Sequence, residues 1–157
     1  MPGEKLKPMA KKSGNKALLL DTHILLWLSQ GDPRLTESAQ SEIEKASRRR
    51  EICLSVITLW EIGYLVGKER IKLSVELPTF WDQALTRLRA AQLDITASDV
   101  IAYHSLPVDF HNDPGDRFLV AQARTRGLRM MTADGRILAI RDQLEPAYVV
   151  AVSAQSL

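Results

Sequence analysis

Residues 52–67 read Ile52-Cys-Leu-Ser-Val-Ile57 and then, without a break, Thr58-Leu-Trp-Glu-Ile-Gly-Tyr-Leu-Val-Gly67. The first part is a short, continuously apolar run, as expected of a strand buried on both faces. The second carries Leu59, Ile62, Leu65 and Val66 at helical spacing, and the polar Thr58 marks the change of period. Two similar runs lie on either side in the chain. Ala17-Leu-Leu-Leu20 stops at Asp21, and Leu128-Arg-Met-Met131 stops at Thr132. Helical patterns occupy Thr36 to Ser47, Leu77 to Ala91 and Pro114 to Arg126, while Gln92 to Ile95 and Tyr148 to Val152 are weaker strand candidates. Strands alternating with helices predict βαβ units, and therefore an α/β fold with a central parallel sheet between helical layers.

The chain has 157 residues, 45% of them hydrophobic and 25% charged, which fits one ordinary globular domain. Its longest apolar run, Ala147 to Val152, is six residues, against roughly 20 needed to span a bilayer. The Lys-rich beginning has no apolar stretch behind it, so a secretory signal is not expected and the cytoplasm is the expected compartment. Cys53 stands alone, which excludes an intramolecular disulfide and, with three His, leaves too few soft ligands for a structural zinc site. Residues 1–16 carry five Lys against Glu4, and are expected to form a basic, disordered tail before a single domain at 17–157. That domain holds 16 basic and 18 acidic residues, so it is not built as a phosphate-gripping groove. Any work on nucleic acid must rest on a few placed groups.

In open parallel sheets, ligands sit beyond the carboxyl ends of the strands. This sequence places acids there repeatedly: Asp21 after the first strand, Glu61 early in the helix after the second, Asp113 and Asp116 opening a later helix, and Asp134 after the next strand. Each alone reads as a helix start. Thr58-Leu-Trp-Glu61 fits a capping box, and Asp113-Pro-Gly-Asp116 sets a cap, a first-turn proline and a dipole-favoured acid in order. Together, unpaired carboxylates meeting at one edge repel each other, an arrangement suited to a divalent cation. Hard ions such as Mg²⁺ or Mn²⁺ prefer such oxygen ligands and support phosphodiester hydrolysis.

Four segments, Leu18-Leu-Leu-Asp-Thr-His-Ile-Leu-Leu-Trp27, Ser55-Val-Ile-Thr-Leu-Trp-Glu-Ile-Gly63, His111-Asn-Asp-Pro-Gly-Asp-Arg-Phe-Leu-Val-Ala-Gln-Ala123 and Met131-Thr-Ala-Asp134, resemble in order and spacing the PIN-domain family, specifically its VapC-like toxin branch. The resemblance implies a three-layer α/β/α fold and a Mg²⁺- or Mn²⁺-dependent endoribonuclease leaving 5′-phosphate and 3′-hydroxyl ends. It also implies a homodimer that acts as a toxin on RNA and is held in check by a small cognate antitoxin protein. Carried over, the family's four acids fall on Asp21, Glu61, Asp116 and Asp134, with Asp21 and Asp116 binding the metal directly and the other two completing its surroundings. Thr132 matches the hydroxyl residue before the fourth acid. Gly115 departs from the bulky apolar residue associated with its position, which loosens the turn that carries Asp116.

Asp113 is expected mainly to cap, with a lesser supporting role at the acids. Arg117 is the basic residue best placed for a scissile phosphate, weighed evenly against an ion pair with a nearby acid. His23 and His111 are read as local packing and a loop anchor, His104 as half-buried, and Trp27, Trp60 and Trp81 as core. A dehalogenase-like phosphatase would need an acid where His23 stands, and no Gly-rich phosphate loop with Lys-Ser/Thr occurs. An RNA-processing nuclease that is not a toxin, and a catalytically weak binding module, remain as the alternatives.

Overall fold

The computed structural model describes residues 17–107, 110, 112–139 and 149–151. The basic tail and His111 lie outside them. In chain order the elements are β1 (Leu18–Leu20), α1 (Thr22–Gln30), α2 (Glu37–Arg48), β2 (Ile52–Ser55), α3 (Val56–Gly67), α4 (Leu77–Leu88), β3 (Ala91–Leu93), α5 (Ala97–His104), α6 (Pro114–Arg126), β4 (Arg129–Thr132), α7 (Gly135–Ala139) and β5 (Val149–Ala151).

The five strands run in the order β3-β2-β1-β4-β5, every pairing parallel. The chain adds β2 and β3 on one side of β1, then β4 and β5 on the other. The order therefore reverses between β1 and β4, the point beyond whose carboxyl ends open parallel sheets form their crevice. Side-chain alternation divides the core in two. Leu18, Leu20, Ile52, Leu54 and Met131 pack with Ile24 and Leu25 of α1, Ile43 of α2 and Trp81 of α4. Leu19, Cys53 and Met130 face the opposite layer, with Leu119, Val120 and Ala123 of α6 and Ile137 of α7. A sheet covered on both faces is what the unbroken apolar strands predict.

Local chemistry sets the boundaries. β2 stops at Ser55, two residues earlier than the apolar run suggests, because the Ser55 hydroxyl accepts the Ile57 N–H at 3.0 Å and starts α3 there. Thr58 consequently lies inside the helix and the expected Thr58–Glu61 capping box does not form. The capping box is at α5 instead, where Thr96 and Asp99 bond each other's backbone N–H groups. Thr36 and Asp113 cap α2 and α6 as their sequence positions suggest. Gly127 closes α6 at φ 62°, a left-handed conformation that carries little cost only for glycine.

Two aromatic and histidine expectations need correction. Trp81 is core and Trp27 is partly buried, but Trp60 is 56% exposed, one turn from the 52% exposed Tyr64 on the outer side of α3. His104 is exposed at the end of α5, its ring 5.0 Å from that of Tyr103. No described helix is long and apolar enough to cross a membrane.

Candidate active site

Asp21 follows β1 directly, and its N–H bonds the Met131 carbonyl at 3.0 Å, which locks it to the end of β4. It stands at the cap position of α1 in extended geometry, yet its side chain makes no cap bond. The buried carboxylate instead accepts the Thr132 hydroxyl at 2.6 Å. Thr132 in turn accepts the Asp134 N–H at 3.0 Å, so one buried hydroxyl ties together the acids that end β1 and β4. Asp134 caps α7 through the Arg136 N–H at 2.8 Å, and its carboxylate is 3.7 Å from Arg136 Nε.

Glu61 reaches the same crevice from the second turn of α3. Its Oε1 accepts the Thr22 hydroxyl at 2.5 Å, and Thr22 Oγ1 lies 3.1 Å from Thr58 Oγ1, both threonines being buried. Across from it, Asp113 caps α6 by accepting the Asp116 N–H at 3.2 Å, which turns Asp116 inward to a buried position. Glu61, Asp113 and Asp116 each bring a carboxylate oxygen within 4.8 Å of the other two. Asp113 is thus both cap and member of the cluster. Thr22, which the sequence reading did not single out, follows Asp21 and could have been noticed as a hydroxyl beside an acid.

Burial and mutual repulsion disfavour charge here. Burial, and then the charges of Asp21, Asp113, Asp134 and Glu61, push Asp116 up to about 8. Burial also pushes Glu61 up to about 7; the Thr22 bond opposes this, and the charges of Asp21 and Asp113 add to it. Asp21 is raised as well, chiefly by burial, with the Thr132 bond and His23 pulling the other way and Asp134 adding to the rise. All four sequence-predicted acids are therefore electrostatically one group. Hard oxygen donors crowded in this way fit a divalent cation, whose charge would favour the ionised forms of Asp21, Glu61 and Asp116.

The metal-free protein should accordingly lose stability as pH rises from about 4 to 8. Unfolded carboxylates release their protons near pH 4, whereas folded Glu61 and Asp116 hold theirs to about 7 and 8, so over this window the folded state binds more protons. The loss is expected to reach several kcal/mol, at about 1.4 kcal/mol for each pH unit between a group's folded and unfolded values, and to shrink when Mn²⁺ is added, as urea melts across the pH series would show. Stability that stays level or rises over that window would contradict the shifts.

Arg117 is turned elsewhere. Its guanidinium donates to the carbonyls of Tyr103, at 2.9 Å, and Phe110, at 3.4 Å, and lies 4.9 Å from the centre of the Tyr103 ring. It holds the segment entering α6 against the end of α5, and neither a phosphate nor an acid is its partner in these contacts. An apolar cleft of about 330 Å³ between α1 and α4, which includes Leu25, Leu28, Phe80 and Leu88 in its walls, contains none of the acids.

Residues 18–143 match the family model for the PIN domain. The chain is 32% identical over 120 residues to Ribonuclease VapC22 of Mycobacterium tuberculosis, an alignment that spans 76% of this chain and 88% of that protein. Among solved structures it resembles VapBC2 from Rickettsia felis bound to a DNA fragment from its promoter, with TM-score 0.64 and 16% identity over 87% of this chain and 98% of that one. It also resembles DNA-bound VapBC from Salmonella typhimurium, with TM-score 0.61 and 17% identity over 88% of this chain and 99% of that one.

Proposed function

The chain belongs to the PIN-domain family, and on that premise we propose that it is a divalent-metal-dependent endoribonuclease, the toxin of a toxin–antitoxin pair. The observation that carries this reading is the convergence of Asp21, Glu61, Asp116 and Asp134, with Asp113, at the crevice where the strand order reverses. Carboxylates so crowded that Glu61 rises to about 7 and Asp116 to about 8 form a poor cap and a good cradle for a hard cation.

Asp21 and Asp116 are assigned to hold Mg²⁺ or Mn²⁺ directly, with Glu61 and Asp134 completing the charge around it and Asp113 at its margin. The ion, when bound, supplies Lewis-acid stabilisation of charge at an RNA phosphate and a nucleophile at neutral pH. The chain's own groups do the rest. Thr132 orients the Asp21 carboxylate and holds the loop of Asp134, while Thr22 orients Glu61. Because Asp116 is largely protonated near neutrality, loading the site should release protons.

The partners that follow are RNA as substrate, a small antitoxin as inhibitor and a second copy of this chain, with the cytoplasm as compartment. The relatives bear on the second of these, since the similar folds are VapBC assemblies. The mildly acidic body favours a structured, specific RNA over bulk binding.

The test is cleavage of a mixed RNA pool by the full chain during a Mn²⁺ titration, with Asp21→Asn alongside. Cleavage that requires Mn²⁺ and falls by at least about a thousandfold in the variant is expected, each factor of ten being about 1.4 kcal/mol of lost stabilisation. Equal cleavage by the two proteins would remove Asp21 from the site.

A further inference from the structure

Gly115 lies in the first turn of α6, beside Asp116, and it is buried. Its φ is not positive, unlike those of Gly31 and Gly127, so the backbone conformation does not call for glycine there. A helix by itself would prefer alanine. Space supplies the reason. A β-carbon built on Gly115 would fall 2.6 Å from Glu61 Cδ and 3.1 Å from Oε1, with Oε2 closer still. The carboxylate of Glu61 occupies the place where any other residue would begin its side chain.

The other side of that carboxylate is closed too. Oε1 is taken by the Thr22 hydroxyl, whose oxygen is within 3.1 Å of the Thr58 hydroxyl, and both threonines are buried. Withdrawal of Glu61 from an added β-carbon would strain that hydrogen bond. We infer that Gly115 is a positioning residue: its missing side chain is the seat that holds the Glu61 carboxylate beside Asp116, with Thr22 closing the seat from the opposite side. The inference deepens the metal-centre reading above and rests on it for its consequence, because a displaced Glu61 would leave the ion one carboxylate short. The seat itself is a matter of packing alone.

The two can be separated by a double-mutant cycle on the full chain, using wild type, Gly115→Ala, Glu61→Ala and the double variant. In thermal melts of the metal-free proteins, Gly115→Ala should lower the midpoint or leave it unchanged when Glu61 is present. It should raise the midpoint by about 2 °C in the Glu61→Ala background, where only helix preference remains. The same shift in both backgrounds would overturn the inference.

Mn²⁺ affinity, measured by calorimetry, gives the second readout. Gly115→Ala should weaken binding about tenfold, and the double variant should bind no more weakly than Glu61→Ala alone. Thr22→Val should weaken it similarly while Thr22→Ser, which restores the hydroxyl, should not. Wild-type affinity in Gly115→Ala would overturn the positioning role. Failure of the wild type to bind Mn²⁺ would overturn the metal-centre reading, leaving the melts to decide the seat.

Discussion

Replacing Asp116 with Asn is expected to lower RNA cleavage by about a thousandfold or more and, in the same protein without metal, to raise the melting temperature. The two effects have one cause. Asp116 is buried against Asp21, Asp113, Asp134 and Glu61, and this pushes it up to about 8, so its charge is resisted by its surroundings. An amide keeps the shape and discards the charge. Relief on the order of 1 kcal/mol would raise the midpoint by about 2–4 °C in a domain of this size. Were Asp116 only a first-turn acid favoured by the helix dipole, the change would go the other way, with a loss of about 0.3–1 kcal/mol. Melting with and without Mn²⁺ therefore decides between cap and ligand: the wild type should gain stability from the ion and Asp116→Asn should not. A variant that melts lower than wild type and still gains from Mn²⁺ would take Asp116 out of the metal site.

The largest loss of stability is expected far from the acids, at Arg126. Asp99 has no exposed surface, and its carboxylate accepts from both terminal nitrogens of Arg126, at 2.5 and 3.0 Å, from Thr125 at 2.9 Å and from the Thr96 N–H at 2.9 Å. Burial pushes this acid up, but the bonds from Arg126, Thr96 and Thr125 and the charge of Arg126 outweigh it and hold Asp99 at about 2. Arg126 also donates to the Asp94 carbonyl at 3.1 Å, so one guanidinium fastens α6 to α5 and to the segment leading into it.

Arg126→Ala leaves a buried carboxylate with fewer partners and should cost about 3 kcal/mol, seen as a shift of the urea midpoint with the slope unchanged. A loss below about 1 kcal/mol would mean that solvent reaches Asp99 and serves it instead. The pH signs of the two buried groups are opposite. Asp99 contributes its stability above about pH 4 and loses it as pH falls toward 2, whereas the crevice acids penalise the metal-free fold as pH rises from about 4 to 8.

Much of the fold was legible in the chain because it depends on periodicity. The strand centres at 18–20, 52–54 and 130–131 are apolar without alternation, as strands between two helical layers must be. Asp113 before Pro114 announces the start of α6 through local hydrogen bonding, a signal independent of the rest of the molecule. The acids were legible as a set for a topological reason: each follows a strand or opens a helix, and in a parallel sheet those points share one edge.

What failed depended on neighbours distant in sequence. Trp60 has core composition and helical spacing, but among the described residues 56% of it is left exposed on the outer side of α3. Arg117 sits next to Asp116 in the chain, yet its side chain leaves toward Tyr103 and Phe110. Thr58 looks like the cap of α3 until Ser55 caps it first, which frees Glu61 for Thr22, 39 residues away. Asp99 carries the marks of a capping box, and nothing local shows that Arg126 will meet it.

The sequence by itself determined the α/β class, the parallel sheet and the positions of the four acids, because strand and helix periods and their junctions are written residue by residue. Only the tertiary structure decided that Thr132 joins Asp21 to Asp134, that Asp113 enters the cluster, and that Glu61 sits where Gly115 has no side chain. Those relations arise where β1 meets β4 and α3 meets α6, and segments brought together from opposite ends of the chain leave no periodic trace of their meeting.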